Sequence, residues 1–231
     1  MTSMRLTTSL HASEPSVARA ADVVDSLRLL QLVAYLQSEL YTRAAAAAGF
    51  IPAADATVFA TLKDQETFHI GTIAGLIIAR QGTSLPRPTF DFTGKGAVPG
   101  FAFAAGQYET FRMLAQAFED LGVRAYKGTV QTLQSDKLAL TAVLAIHSVE
   151  GRHAAEVRRI RGKKGWITGS SPDDLPAFAQ AIYAGEEITT QGTVNVAAAV
   201  GSTGAAEAAS QAFDEPLSAA QVTAIITPFI A

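Results

Sequence analysis

The sequence predicts an all-α protein: a four-helix bundle with a long crossover between its second and third helices, followed by a C-terminal extension of short helices and an irregular arm. Three observations carry this. Apolar residues recur at steps of three and four along four long segments. The spacing Glu-x-x-His occurs on two of those segments, at Glu66-Thr67-Phe68-His69 and at Glu150-Gly151-Arg152-His153. A run of some twenty-five residues rich in Gly, Pro, Thr and Phe divides the segments into two pairs.

The chain has 231 residues, 48% of them hydrophobic, enough to bury a sizeable core in one large domain or a domain with an extension. Its net charge is −3 and it has no long basic run, so it lacks the electrostatic footprint of a nucleic-acid or anionic-membrane binder. It has no cysteine, which excludes disulfides, thiolate metal sites and a Cys nucleophile and leaves Glu, Asp and His as ligands. The first twenty residues are polar and lack the apolar core of a signal peptide, so the chain is expected in the cytoplasm unless an upstream signal has been removed. No apolar run is long enough to span a bilayer; Gly71 to Ile78 is too short and lies within a helical pattern.

Helix one is expected from about Ala20 to Ala48, stopped by Gly49 and Pro52. Leu29, Leu32, Tyr35, Glu39 and Thr42 fall on one stripe, which sets a carboxylate mid-helix among core positions. Helix two follows from about Pro52, a good first-turn residue, to Gln81 before Gly82, with Phe59, Leu62, Glu66, His69, Ile73 and Leu76 on its stripe. From Gly82 to about Gly106 no period holds, and the connection is long enough to run the length of a bundle. Phe90, Phe92, Phe101 and Phe103 should pack it onto the surface.

Helix three, roughly Gln107 to Leu133, carries Tyr108, Phe111, Ala115, Glu119, Gly122 and Tyr126 at helical spacing. Helix four is capped by Ser135 or Asp136 and runs to about Arg161, with Val143, Ile146, Glu150, His153, Val157 and Ile160 on one stripe. Its basic end, RRIRGKKG, reads as a solvated run that complements the helix dipole. Residues 17–165 thus form the bundle, and 166–231 an extension packed on it or on a partner subunit. The extension offers a short helix within Ser170 to Ala184, a β-like stretch from Thr193 to Val196, and two helices, Ala205 to Phe213 and Ser218 to Thr227. The apolar ending ITPFIA should be buried across the bundle or in a second copy, which leaves a homo-oligomer open.

A carboxylate and an imidazole three residues apart project from one helix face and can grip the same ion. One such pair is ordinary helix surface; two, set among apolar residues and each preceded by a core-facing carboxylate, read as a duplicated hairpin. The candidate metal ligands are Glu39, Glu66 and His69 in the first half and Glu119, Glu150 and His153 in the second. Four ionised carboxylates in a low-dielectric core would repel one another and take up protons. Two divalent cations balance them, and the imidazoles add neutral donors. Hard oxygens with imidazole suit iron or manganese; zinc also fits.

This pattern resembles the ferritin-like di-metal carboxylate superfamily, whose bundles carry a Glu from each of two helices and Glu-x-x-His from the other two. More narrowly, FEDLGVRAYKG (Phe118 to Gly128), AIHSVEGRHAAEVR (Ala145 to Arg158) and FDEPLSAAQVTAIITPFI (Phe213 to Ile230) resemble the bacterial ferritin-like family related to plant desiccation-associated proteins. The resemblance runs from about Asp22 to the end. It implies that Glu66 and Glu150 bridge two metals with Glu39 and Glu119 as terminal ligands. It also implies a likeness to di-iron oxidases, rubrerythrins or manganese catalases more than to storage cages, which generally lack the second Glu-x-x-His. The absence of rubredoxin-type cysteines argues against a complete rubrerythrin electron path. A setting in oxidative or desiccation stress is an implication of the resemblance alone.

Other residues are read more plainly. His147 is rotated off the ligand stripe and Tyr35 and Tyr126 are taken as core packing with satisfied hydroxyls. Asp64, Asp120 and Glu156 are taken to face water or a ligand histidine, Trp166 to anchor the segment after helix four, and His11 to lie idle. The leading functional expectation is redox chemistry on dioxygen or peroxide at a di-iron or di-manganese centre. A non-catalytic stress-associated scaffold with a structural or lost metal, and a storage protein, are the alternatives, and whether the chain is an enzyme stays open.

Overall fold

The computed structural model describes residues 17–201 and 204–231. Four long helices, α1 (Val17–Ala46), α2 (Ala53–Ile78), α3 (Tyr108–Leu133) and α4 (Lys137–Ile160), form the bundle. α1 packs on α2, α3 on α4, and α1 on α3. The hairpin turns are short: Gly49 takes a left-handed φ of 68° after α1, and the Asp136 carboxylate caps α4 by accepting the Ala139 amide at 3.0 Å.

The crossover makes α2 and α3 run in the same direction. Tyr108 at the start of α3 donates to Asp55 at the start of α2 (2.6 Å), while Arg80 beyond the end of α2 pairs with Asp136 at the start of α4. On its way the crossover is tied to α1: the Tyr35 hydroxyl donates to the Leu85 carbonyl (3.0 Å) and Gln31 accepts the Leu85 amide (2.9 Å). Phe90, Phe92 and Phe101 are buried and Phe103 is partly exposed, so these rings pack the crossover onto the bundle, Phe92 against Phe118 of α3. Gly94 sits against the Phe229 ring, where an added Cβ would come within 2.9 Å of it.

The extension contains α5 (Gln180–Tyr183), a two-residue antiparallel hairpin of β1 (Thr190–Gln191) and β2 (Val194–Asn195), α6 (Val196–Val200), α7 (Ala205–Gln211) and α8 (Ala219–Ile226). The short helix expected within Ser170 to Ala184 is a 3₁₀ turn, Ala177–Ala179, that runs on into α5. α8 opens with a capping box between Ser218 and Gln221. The chain end is buried as its sequence implies. Phe229 packs on Phe118 and Phe178 at 5.0 Å each, and its carbonyl accepts the Asp91 amide of the crossover (2.8 Å).

Extension and bundle meet at α3. The buried Arg124 donates to the carbonyls of Glu215 (2.7 Å), Ala184 (3.0 Å) and Ile182, and pairs with buried Glu186 at 2.6 Å. One turn on, the Leu217 carbonyl passes so close to Gly128 that a Cβ there would lie 1.9 Å from it. The basic end of α4 is not simply solvated. Arg158 is buried, its guanidinium bonded to Asp120, and the Arg161 side chain is enclosed beside Gln116, Glu109 and Asp174. Among the described residues no helix is long and apolar enough to cross a membrane.

Candidate metal centre

Halfway along the bundle, α2 and α4 each turn a Glu-x-x-His pair inward and α3 adds one carboxylate. Glu66, Glu119 and Glu150 are fully enclosed, His153 is 3% and His69 7% exposed. One ligand atom from each of Glu66, Glu119, Glu150 and His153 lies within 4.8 Å of all the others. His69 Nδ1 stands 3.2 Å from Glu66 and 3.1 Å from Glu150, while His153 Nδ1 stands 3.0 Å from Glu66 and 3.5 Å from Glu119. The two imidazoles stack with centroids 5.7 Å apart. Helical i, i+3 spacing on two facing helices is sufficient to produce this arrangement.

These atoms lie at ion-pair distance without hydrogen-bond geometry. Among the described residues both oxygens of Glu66, Glu150 Oε1 and the Nδ1 atoms of His69 and His153 have no hydrogen-bond partner. Each buried polar group left so costs about 1–3 kcal/mol, and here they converge on one point. Three carboxylates and two imidazole nitrogens aimed into a buried interior are the donor set that hard and borderline divalent cations take. The residues therefore fit a metal.

Without a cation, protons balance the cluster. Burial opposes ionisation of Glu66, but the approach of His153 and His69 outweighs it and holds that carboxyl below the usual range. Burial and the Glu66 charge push Glu150 up to about 7, and burial raises Glu119 as well. Burial works against charge on the imidazoles, yet the facing carboxylates raise His69 to about 9 and His153 to about 11.

Glu39 is not brought to the cluster, which corrects its expected place beside Glu66 and His69. Its partly exposed carboxylate pairs with Arg43 (2.9 Å) and Arg87 (3.3 Å). The face of α1 that meets the cluster instead carries Gln37 and Tyr41. The Gln37 amide donates to Glu150 (2.9 Å), Glu119 (3.2 Å) and the Phe118 carbonyl (3.2 Å), and the Tyr41 hydroxyl donates to Glu119 Oε1. Gln65 Oε1 lies 2.6 Å from His153 Nε2, so a proton on Nε2 leaves Nδ1 facing the carboxylates. Gln37, Tyr41 and Gln65 were not singled out by the sequence; the Tyr41 and Tyr126 positions on equivalent helices were the available signal. Gly122 gives the carboxylate its room, since a Cβ there would lie 2.2 Å from Glu150 Oε2 and 2.7 Å from Gln37 Nε2.

The remaining residues are placed as follows. Tyr35 bonds the crossover, not a ligand, and the Tyr126 hydroxyl is buried with no partner among the described residues, contrary to a satisfied core tyrosine. His147 is half-buried at a surface cleft with Lys127, Phe213 and Asp214. Asp64 is exposed, Glu156 pairs with Arg159, and Asp120 is buried between Arg158 and the Tyr183 hydroxyl. Trp166 is half-exposed and donates to Gln211 (3.0 Å). His11 lies outside the described residues.

A family model described as a ferritin-like domain matches residues 22–163, a span that takes in all four long helices from Asp22 onward and every residue of the cluster. No curated protein matches the chain.

Proposed function

The chain belongs to the ferritin-like domain family, and from that membership and the buried cluster we propose that it is a metalloprotein whose Glu66, His69, Glu119, Glu150 and His153 hold iron or manganese, zinc being a competitor. The observation that carries this is the convergence of unpartnered carboxylate oxygens and imidazole nitrogens at one buried point. When bound, the metal supplies redox chemistry toward dioxygen or peroxide. The chain's part is to hold it. Glu66 stands against both imidazoles, and Glu150 stands against His69 with a ligand atom within 4.8 Å of that of His153. Tyr41 and Gln37 orient Glu119, Gln65 orients His153, and the enclosing helices exclude water. A setting in stress protection is part of this proposal and rests on the sequence resemblance of Phe118 to Gly128, Ala145 to Arg158 and Phe213 to Ile230 alone.

The test is anaerobic reconstitution with iron(II) or manganese(II), followed by dioxygen or peroxide. Turnover that disappears in Glu66→Ala and His153→Ala, with helicity retained, supports the reading; turnover surviving both changes overturns the site. The proton-balanced state of the cluster favours a second reading, a scaffold that stands without redox turnover. In that case a chelator leaves the melting temperature unchanged and no oxidant is consumed.

A further inference from the structure

The cluster is built from two halves that are not equal. Advancing Glu66 and His69 of α2 by 84 positions gives Glu150 and His153 of α4, the repeated ligand pair. Advancing Ala34, Gln37 and Tyr41 of α1 by 85 gives Glu119, Gly122 and Tyr126 of α3. The second correspondence is a structural one: Tyr41 reaches across to Glu119, and Gln37 lies against Gly122, so α1 and α3 run antiparallel in a register that sets position 34 opposite Tyr126. The partner that Tyr41 finds in Glu119 has no counterpart for Tyr126. Ala34 stands there, fully buried, and the Tyr126 hydroxyl is left without a hydrogen bond among the described residues.

Resting on the metal reading above, we propose that the centre is asymmetric: His153, Glu119 and the shared Glu66 and Glu150 form a complete seat that takes one divalent cation tightly. The seat on His69 has no carboxylate of its own and takes a second cation weakly. Charge argues the same way. Three carboxylates neutralise one divalent cation and only part of another, and a cation without its full set of anionic ligands in a buried site keeps much of its desolvation cost. Geometry agrees at Glu119, whose carboxylate lies 3.5 Å from His153 Nδ1, whereas His69 Nδ1 meets Glu66 and Glu150, at 3.2 and 3.1 Å, and no other carboxylate among the described residues. Gln37 deepens the difference by donating to Glu119 and Glu150, which fixes the complete seat and offers the other no charge.

The experiment is anaerobic equilibrium dialysis and calorimetry of the full chain with manganese(II), on the natural protein, His69→Ala and His153→Ala. The expected result is two classes of sites differing at least about tenfold in affinity, the scale on which loss of a supporting group changes metal binding. His69→Ala should abolish the weak class and alter the tight one by less than about threefold, while His153→Ala should abolish the tight class. Two equal sites in the natural protein, or equal losses in the two variants, would overturn the asymmetry and leave the metal centre standing. No binding of manganese(II), iron(II) or zinc(II) to the natural protein would overturn the metal reading and this inference with it. The natural protein's own isotherm decides between equal and unequal sites even where a variant fails to fold.

Discussion

A methyl group at position 122 would press on Glu150 Oε2 and on the Gln37 amide at once, from a rigid helix backbone that cannot withdraw. Gly122→Ala should therefore cost about 1–3 kcal/mol of stability and weaken metal binding by about tenfold or more, read by thermal unfolding and by metal titration. The histidines set a pH dependence. In the metal-free cluster His69 titrates at about 9 and His153 at about 11, so at neutral pH both are protonated, whereas coordination needs the Nδ1 lone pair. Metal loading at neutral pH should release at least about two protons, Glu150 at about 7 adding part of another, and affinity should rise with pH until these groups lose their protons unaided. Calorimetry in buffers of different ionisation enthalpy checks this, and binding without proton release would contradict it.

Among the elements, α4 is the one whose start is most clearly specified. Asp136 caps it, and the guanidinium of Arg80 holds that carboxyl below its ordinary range, with the Ala139 amide adding to the effect. Asp136→Ala should cost about 1–2 kcal/mol, roughly 2–8 °C in melting temperature for a chain of this size. A depressed carboxylate contributes stability that is complete above its unfolded value and fades as pH falls through the folded one. The gap between natural and variant protein should accordingly close in acid. Element limits were largely legible because caps, glycines and prolines are local signals: α3 was expected over Gln107 to Leu133 and spans Tyr108–Leu133. The phase of α1 was not. Val33 to Ser38 are buried without interruption, since α2, α3 and the crossover surround that stretch. A helix covered on most sides carries no single stripe, and Glu39 matched the template although its carboxylate lies with Arg43 and Arg87. On α2 and α4 the stripes did locate Glu66, His69, Glu150 and His153 among buried positions.

At the scale of the molecule, the extension is held by contacts that no local pattern announces. Arg124 reaches three main-chain carbonyls and Glu186, partners 58 to 91 positions away in the sequence for the hydrogen bonds, and on a helix that also carries Arg112, Asp120 and Lys127 its charge did not mark that anchor. Arg124→Ala would leave Glu186 buried and unpaired, at a cost of about 3–5 kcal/mol, and should expose the chain beyond α4 to proteolysis while the four-helix bundle persists as the resistant fragment. The chain end packs on the same helix, Phe229 against Phe118 next to Glu119, and is tied to the crossover through the Asp91 amide. The proposed metal centre at Glu66, His69, Glu119, Glu150 and His153 underlies the other expectations. Its most direct test is elemental analysis of the protein from its native host, quantifying iron, manganese and zinc per chain beside a Glu66→Ala/Glu150→Ala variant. At least about one iron or manganese atom per chain, absent from the variant, is the expected result. Less than about a tenth of an atom, unchanged in the variant and not restored by anaerobic reconstitution, would contradict it.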